Sequence, residues 1–179
     1  MPLFTRPLKD SDYRKVKEIF SDNFKGRIPI RDIGLSFDKR DAEKSMGYYE
    51  SENSSEMIGF HIMSTHQRNR ENVYLDYIAI SPPYQRCGYG TQMMWRIVRD
   101  TFRNNESIHL YPFDEGLAKW YKKFGFYRTH DGYLNFHSYH TRSYRDRIDY
   151  KKVQFTVSRL ERCRRWCFRN FSLRGLFRL

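Results

Sequence analysis

The chain has 179 residues, a net charge of +12, 30% charged and 17% aromatic side chains, enough for one domain with a genuine core and unlike a disordered tail. No apolar stretch approaches the roughly 20 residues of a membrane span, and the opening MPLFTRPLKDSDY lacks a secretory apolar segment. Three cysteines, Cys87, Cys163 and Cys167, are too few for a disulfide framework, and we expect an intracellular soluble protein, cytoplasmic or nuclear.

PLFTRPLKDSDYRKVKEIF opens with a strand-like piece. DSDY then offers a helix cap, and Val16, Ile19 and Phe20 follow at helical spacing. SMGYYESENSSEMIGFHIMST reads as two strands around the polar turn SENSSE. NVYLDYIAIS is a longer strand, stopped by Pro82 and Pro83. From Gly90 to Phe102 the spacing predicts a helix with Met93, Met94, Ile97, Val98 and Phe102 on one face. SIHLY is a short strand closed by Pro112. DEGLAKWYKKFGF predicts a helix capped by Asp114 and ended by Gly125, with Leu117, Trp120, Tyr121 and Phe124 on one side. FYRTHDGYLNFHSYH alternates as a strand, and DYKKVQFTVSRL fits strand or helix. Together these predict a mixed α/β or α+β single domain.

The turn SPPYQRCGYGT carries two glycines, Gly88 and Gly90, between a strand and a helix. Such a turn gathers unpaired N–H groups at the positive end of a helix, and glycine lets the backbone approach an anion. It is not a dinucleotide fingerprint, because Met93 stands where a third glycine would be needed. No Gly-Lys-Ser/Thr follows for a nucleoside-triphosphate loop. Taken alone, the two glycines also fit simple turn geometry.

The order of the elements adds to this. Gln85, Gly88 and Gly90, followed by Tyr121, Gly125 and Phe126 at the end of a helix, resemble the two signatures of the GNAT superfamily of acetyl-CoA-dependent N-acetyltransferases. The resemblance spans about residues 2–130, and the glycine turn is most similar to those of histone and other protein-lysine acetyltransferases. It implies the GNAT fold, a mixed, mostly antiparallel central sheet flanked by helices. It also implies acetyl-CoA as cosubstrate, with its pyrophosphate on Gln85, Arg86, Cys87, Gly88, Tyr89, Gly90 and Thr91. The pantetheine arm would lie on the backbone of Ile78 to Ile80. Three residues depart from the usual pattern: Cys87 replaces Lys, Arg or Gly, Asp114 replaces Asn, and Leu117 replaces Ala.

The implied reaction passes an acetyl group to an amine, a protein lysine or N-terminus first, a small amine or polyamine second. At pH 7 only about one lysine in a few thousand is neutral, so a proton acceptor is needed, together with an acid for the departing thiolate. The resemblance makes Tyr121 the acid; packing beside Trp120 and Phe124 is its other reading. Asp76, set among apolar residues in YLDYIAI, is the candidate base, and the alternative is a structural ion pair. Alternation puts Tyr74, Asp76, Ile78 and Ile80 on one face. His130, His137 and His140 lack the further ligands of a zinc set, so no metal is expected.

Residues 150–179 hold two lysines and seven arginines against one glutamate, +8 of the total. We therefore divide the chain into an acetyltransferase domain, 1–157, and a basic segment, 158–179, docked or free. An anionic partner, nucleic acid or membrane surface, fits that charge. The competing reading of the whole is an inactive GNAT-like domain that binds through this segment.

Overall fold

The computed structural model describes residues 3–66 and 69–137. The domain boundary at 157, the basic segment, His140, Cys163, Cys167 and the element expected at DYKKVQFTVSRL lie outside the described residues.

β1 (Phe4–Pro7) leads through one 3-10 turn into α1 (Tyr13–Phe24), then α2 (Ile30–Asp38). β2 (Met46–Tyr49), β3 (Gly59–His66) and β4 (Asn69–Ile80) follow, then α3 (Tyr89–Arg103) and β5 (Ser107–Leu110). The last described elements are α4 (Glu115–Lys122), β6 (Tyr127–Arg128) and β7 (Leu134–His137). The strands form one sheet in the order β1-β2-β3-β4-β5-β7-β6. All neighbours are antiparallel except β4 and β5. This is the mixed, mostly antiparallel sheet flanked by helices that the sequence predicts.

The core lies on both faces of the sheet. On one, Val16, Ile19 and Phe20 of α1 and Ile33 and Phe37 of α2 pack onto Phe60, Ile62 and Ala79. On the other, Met94, Ile97 and Val98 of α3 and Ala118 and Tyr121 of α4 pack onto Val73, Leu75 and Ile108. Each fully buried side chain of this size contributes about 1.5–3 kcal/mol, so the three from α3 alone fix that helix firmly to the sheet.

Several expectations need correction. No element is expected between α1 and β2, yet α2 is there, its Ile33 and Phe37 one helical turn apart and both buried. FYRTHDGYLNFHSYH is not one strand but the hairpin β6–β7, because Gly132, at φ +86°, turns the chain back. α3 begins at Tyr89 rather than Gly90 and buries Thr101, leaving Phe102 half-buried. On α4 the buried pair is Ala118 and Tyr121, and Leu117 is exposed.

Candidate active site

The site follows from how β4 and β5 part. Their parallel pairing is Asn72 with Ser107, Val73 with Ile108 and Tyr74 with His109, and it ends there. β4 runs on to Ile80, held by β3 on one edge; among the described residues no strand pairs with its other edge. That free edge offers alternating N–H and C=O groups to an extended, amide-bearing chain.

A bulge lies at the fork. Ile62 of β3 pairs with Tyr77 and the next residue, Met63, with Leu75, so Asp76 is the extra residue. The bulge breaks the expected alternation. Val73 and Leu75 face the α3/α4 core, and Ile78, one step out of phase with them, packs there as well. Tyr77 and Ala79 face α1 and α2. Ser64, which pairs with Tyr74, hydrogen-bonds the Asp76 carboxylate, so Asp76 lies on the face opposite Ile78 rather than beside it. Burial raises the carboxyl pKa, opposed by the Ser64 hydrogen bond.

After β4, Pro82–Tyr84 forms a single 3-10 turn and Gln85 returns to extended backbone. Arg86 at φ 60° and Gly88 at φ 83° then take the left-handed conformation, which aims the chain into α3. The first intrahelical bond is Gln92 N–H to Gly88 C=O at 3.1 Å. The N–H groups of Tyr89, Gly90 and Thr91 therefore point ahead of the helix, where the dipole favours an anion. A Cβ added at Gly90 would meet Ile80 Cδ1 at 3.5 Å and Trp120 Cζ2 at 3.8 Å, ordinary contacts. The fold itself thus does not require glycine there, whereas close approach by a ligand would.

Of the turn's side chains, Cys87 and Tyr89 pack inward, while Gln85 and Arg86 are exposed. Cys87 packs with Tyr48, Ile58 and Met93. The Tyr89 hydroxyl donates to Glu50 Oε1 at 2.7 Å. Gln85 Nε2 donates to Asn23 Oδ1 at 2.9 Å and to Ile80 O at 3.0 Å. Asn23 Nδ2 reaches the same Ile80 carbonyl at 3.0 Å and Ile19 O at 2.7 Å. Asn23 escaped the sequence reading, since nothing local relates it to a glutamine 62 residues away.

α4 starts at Asp114, whose carboxylate accepts from Leu117 N–H at 2.8 Å, as predicted for a cap. Its last turn carries Tyr121, buried between Trp120 (4.9 Å between ring centroids) and Phe126 (5.8 Å). Burial holds its phenol well above the ordinary tyrosine pKa, so it stays protonated. Tyr121 and Asp76 therefore lie on opposite faces of the sheet that parts between them.

Near the open end, exposed Tyr111 and Tyr133 meet edge to face at 5.5 Å. Phe113, also exposed, lies 6.5 Å from Phe24 and under the Arg27 guanidinium at 5.5 Å. The loop between α1 and α2 borders an open pocket of about 850 Å³ lined by Asp22, Lys25, Arg27, Ile28 and Ile30. Sequence does not single out these exposed aromatics; the meeting of Phe113 with Arg27, and of Tyr111 with Tyr133, is tertiary. Among the described residues no group of three His, Cys, Asp or Glu side chains could hold a metal ion.

A forked parallel pair, a strand edge left open and a glycine-opened helix N-terminus together form a cleft suited to an extended, anion-bearing ligand. The model of the Acetyltransferase (GNAT) family matches residues 13–126, and the chain belongs to that family. It is an acetyl-CoA-dependent N-acetyltransferase, with acetyl-CoA as cosubstrate. Among curated proteins none matches. The fold is similar to that of Ard1 from Thermoplasma volcanium at 18% identity and TM-score 0.60, over 76% of this chain and 98% of that one. The ribosomal-protein-S18-alanine N-acetyltransferase from Escherichia coli is similar at 16% and 0.56, over 74% and 88%. A GNAT family acetyltransferase from Brucella melitensis, solved with acetyl-CoA, is similar at 13% and 0.59, over 75% and 87%.

Proposed function

We propose that the acceptor is a protein amine, a lysine side chain or a chain N-terminus. The observation that carries this is a set of exposed rings beyond β5: Tyr111 against Tyr133, and Phe113 under Arg27 of the α1–α2 loop, which also bears Lys25. A peptide can lay its backbone and apolar groups on aromatic rings. A free polyamine needs several carboxylates, and Lys25 and Arg27 would repel it.

Acetyl-CoA, when bound, supplies an electrophilic thioester carbonyl and a thiolate leaving group. In this reading the backbone from Gln85 through Arg86, Cys87, Gly88, Tyr89 and Gly90 to Thr91 cradles its pyrophosphate. The open β4 edge at Ile78–Ile80 takes the pantetheine amides, apart from the Ile80 carbonyl, which Asn23 and Gln85 already occupy. Tyr121 holds a proton on its phenol oxygen and gives it up at the sulfur end of the cleft. Asp76, on the other face, draws the cationic amine toward the fork.

Acetyl-CoA should raise the melting temperature of the protein. Mass spectrometry of a panel of peptides and polyamines should then find acetyl groups on peptides. Acetylation of polyamines alone would overturn the acceptor class. For residues 150–179 the +8 charge supports an anionic partner. Salt-sensitive binding to nucleic acid or anionic vesicles, lost on truncation after residue 157, tests that.

A further inference from the structure

Phe24, the last residue of α1, spans the gap that opens where β4 and β5 part. Its ring lies 6.0 Å from that of Tyr77 on β4 and 6.5 Å from that of Phe113 on the arm that continues β5, measured between centroids. Both partners come a few residues after Tyr74 and His109, the last strand pair, and Tyr77 lies on the α1 face, as Asp76 does. Gly26, at φ +75°, then turns the chain out of α1, and the N–H groups of Arg27 and Ile28 both bond the Phe24 carbonyl, at 2.9 and 3.1 Å. That turn sets the Arg27 guanidinium over the Phe113 ring, 5.5 Å from its centre, within cation–π range. Arg27 and Lys25 are both exposed, and among the described residues no carboxylate pairs with either. Asp22, the one acid among the residues lining the same pocket, is no exception. A guanidinium stacked on a ring and lacking a carboxylate is preorganised to donate two parallel hydrogen bonds to one.

Charge is ordered along this bridge. At one end the carboxylates of Asp32 and Asp76 act on the Tyr77 hydroxyl; at the other stand Arg27 and Lys25. Three ring steps of 5.5–6.5 Å separate Arg27 from Tyr77, at most the reach of about five extended residues. We infer that the acceptor is an acidic peptide, its ammonium drawn to the fork by Asp76 and an aspartate or glutamate within about five residues of that amine held by Arg27 and Lys25. This rests on the acetyltransfer reading and names the chemistry of its acceptor. A lysine or arginine in the same register would meet Arg27 and Lys25 and be repelled, so the site selects by sign.

The test uses the full chain, acetyl-CoA and peptides with one free amine, in which a single glutamate or a single Nε-trimethylated lysine is moved position by position away from that amine. In at least one register glutamate should give a kcat/KM about tenfold or more above trimethyl-lysine, and added salt should shrink the ratio. Arg27→Gln should bring the ratio close to one and Arg27→Glu should invert it. Arg31→Gln, a control on an exposed arginine whose Nε lies 3.6 Å from Asp32 Oδ1, should keep the wild-type ratio. Fluorescence anisotropy with the same peptides, their amine already acetylated, reads the contact without turnover and should show the same order of affinities. Equal kcat/KM for both peptide sets in every register of the wild type would overturn the proposal, whether or not the variants fold. So would an acid preference that survives Arg27→Gln. A wild type that binds the glutamate peptides but acetylates no amine would instead sink the acetyltransfer reading alone.

Discussion

The hydroxyl of Tyr48 donates to Nδ1 of His61 at 2.8 Å, and Nε2 of the same ring donates to Lys44 O at 2.6 Å. Both side chains are buried in the sheet between β2 and β3. The ring is neutral, and burial pushes its pKa down to about 4 from 6.5. Between these values the unfolded chain binds a proton that the folded one refuses. Stability is therefore highest above pH 6.5 and falls as pH drops toward 4, by on the order of 3 kcal/mol. Asp76, with its raised pKa, opposes this. Urea unfolding from pH 7.5 to 4 should show the loss, and Tyr48→Phe should cost about 1–3 kcal/mol at pH 7.5 by stranding Nδ1. A flat pH profile would show that His61 is not held neutral by its burial.

Gly88 and Gly90 are two residues apart but answer to different demands. Gly88 needs its positive φ, so Gly88→Ala should destabilise the fold by about 1–2 kcal/mol. Gly90 is helical and an added methyl meets only ordinary contacts. Gly90→Ala should therefore leave the melting temperature nearly unchanged while weakening acetyl-CoA binding by about tenfold or more, by blocking backbone approach. Calorimetry of both variants separates the two. Equal binding by Gly90→Ala and wild type would remove the pyrophosphate from this turn.

The contrast between these glycines marks what the sequence could tell. The strand, turn and helix around Gly88, and α4 with Tyr121, were legible because their signals are local: prolines, caps and apolar spacing. The bulge at Asp76 was not, because one extra residue in β4 is visible only against its partner β3. That single residue moved Asp76 to the opposite face from Ile78. α2 is a different kind of miss. Pro29, Ile30, Ile33 and Phe37 carry an ordinary helical spacing, a signal as local as those of α3 and α4.

Tyr121 is buried in α4 with its proton held by the surrounding apolar groups. Tyr121→Phe keeps the ring and its contacts with Trp120 and Phe126 and removes only the hydroxyl. We expect kcat to fall by about 100-fold with little change in the KM of either substrate, the pattern of a group used in the transition state. The raised pKa predicts no alkaline decline from this residue below about pH 10. Unchanged kcat in the variant would leave Tyr121 as packing alone.

Gln85 was expected to touch the cosubstrate, yet its amide nitrogen is committed to Asn23 and to the Ile80 carbonyl. It thereby clamps the turn to α1 and to the end of β4, and Asn23 shares the same carbonyl. The side chain's effect on acetyl-CoA should then be indirect, through the placement of the backbone that follows. Gln85→Ala and Asn23→Ala should each raise the KM for acetyl-CoA several-fold, and the double variant should be little worse than either, because both remove one shared tie. Additive losses would mean that Gln85 works independently of Asn23, through direct contact with the cosubstrate.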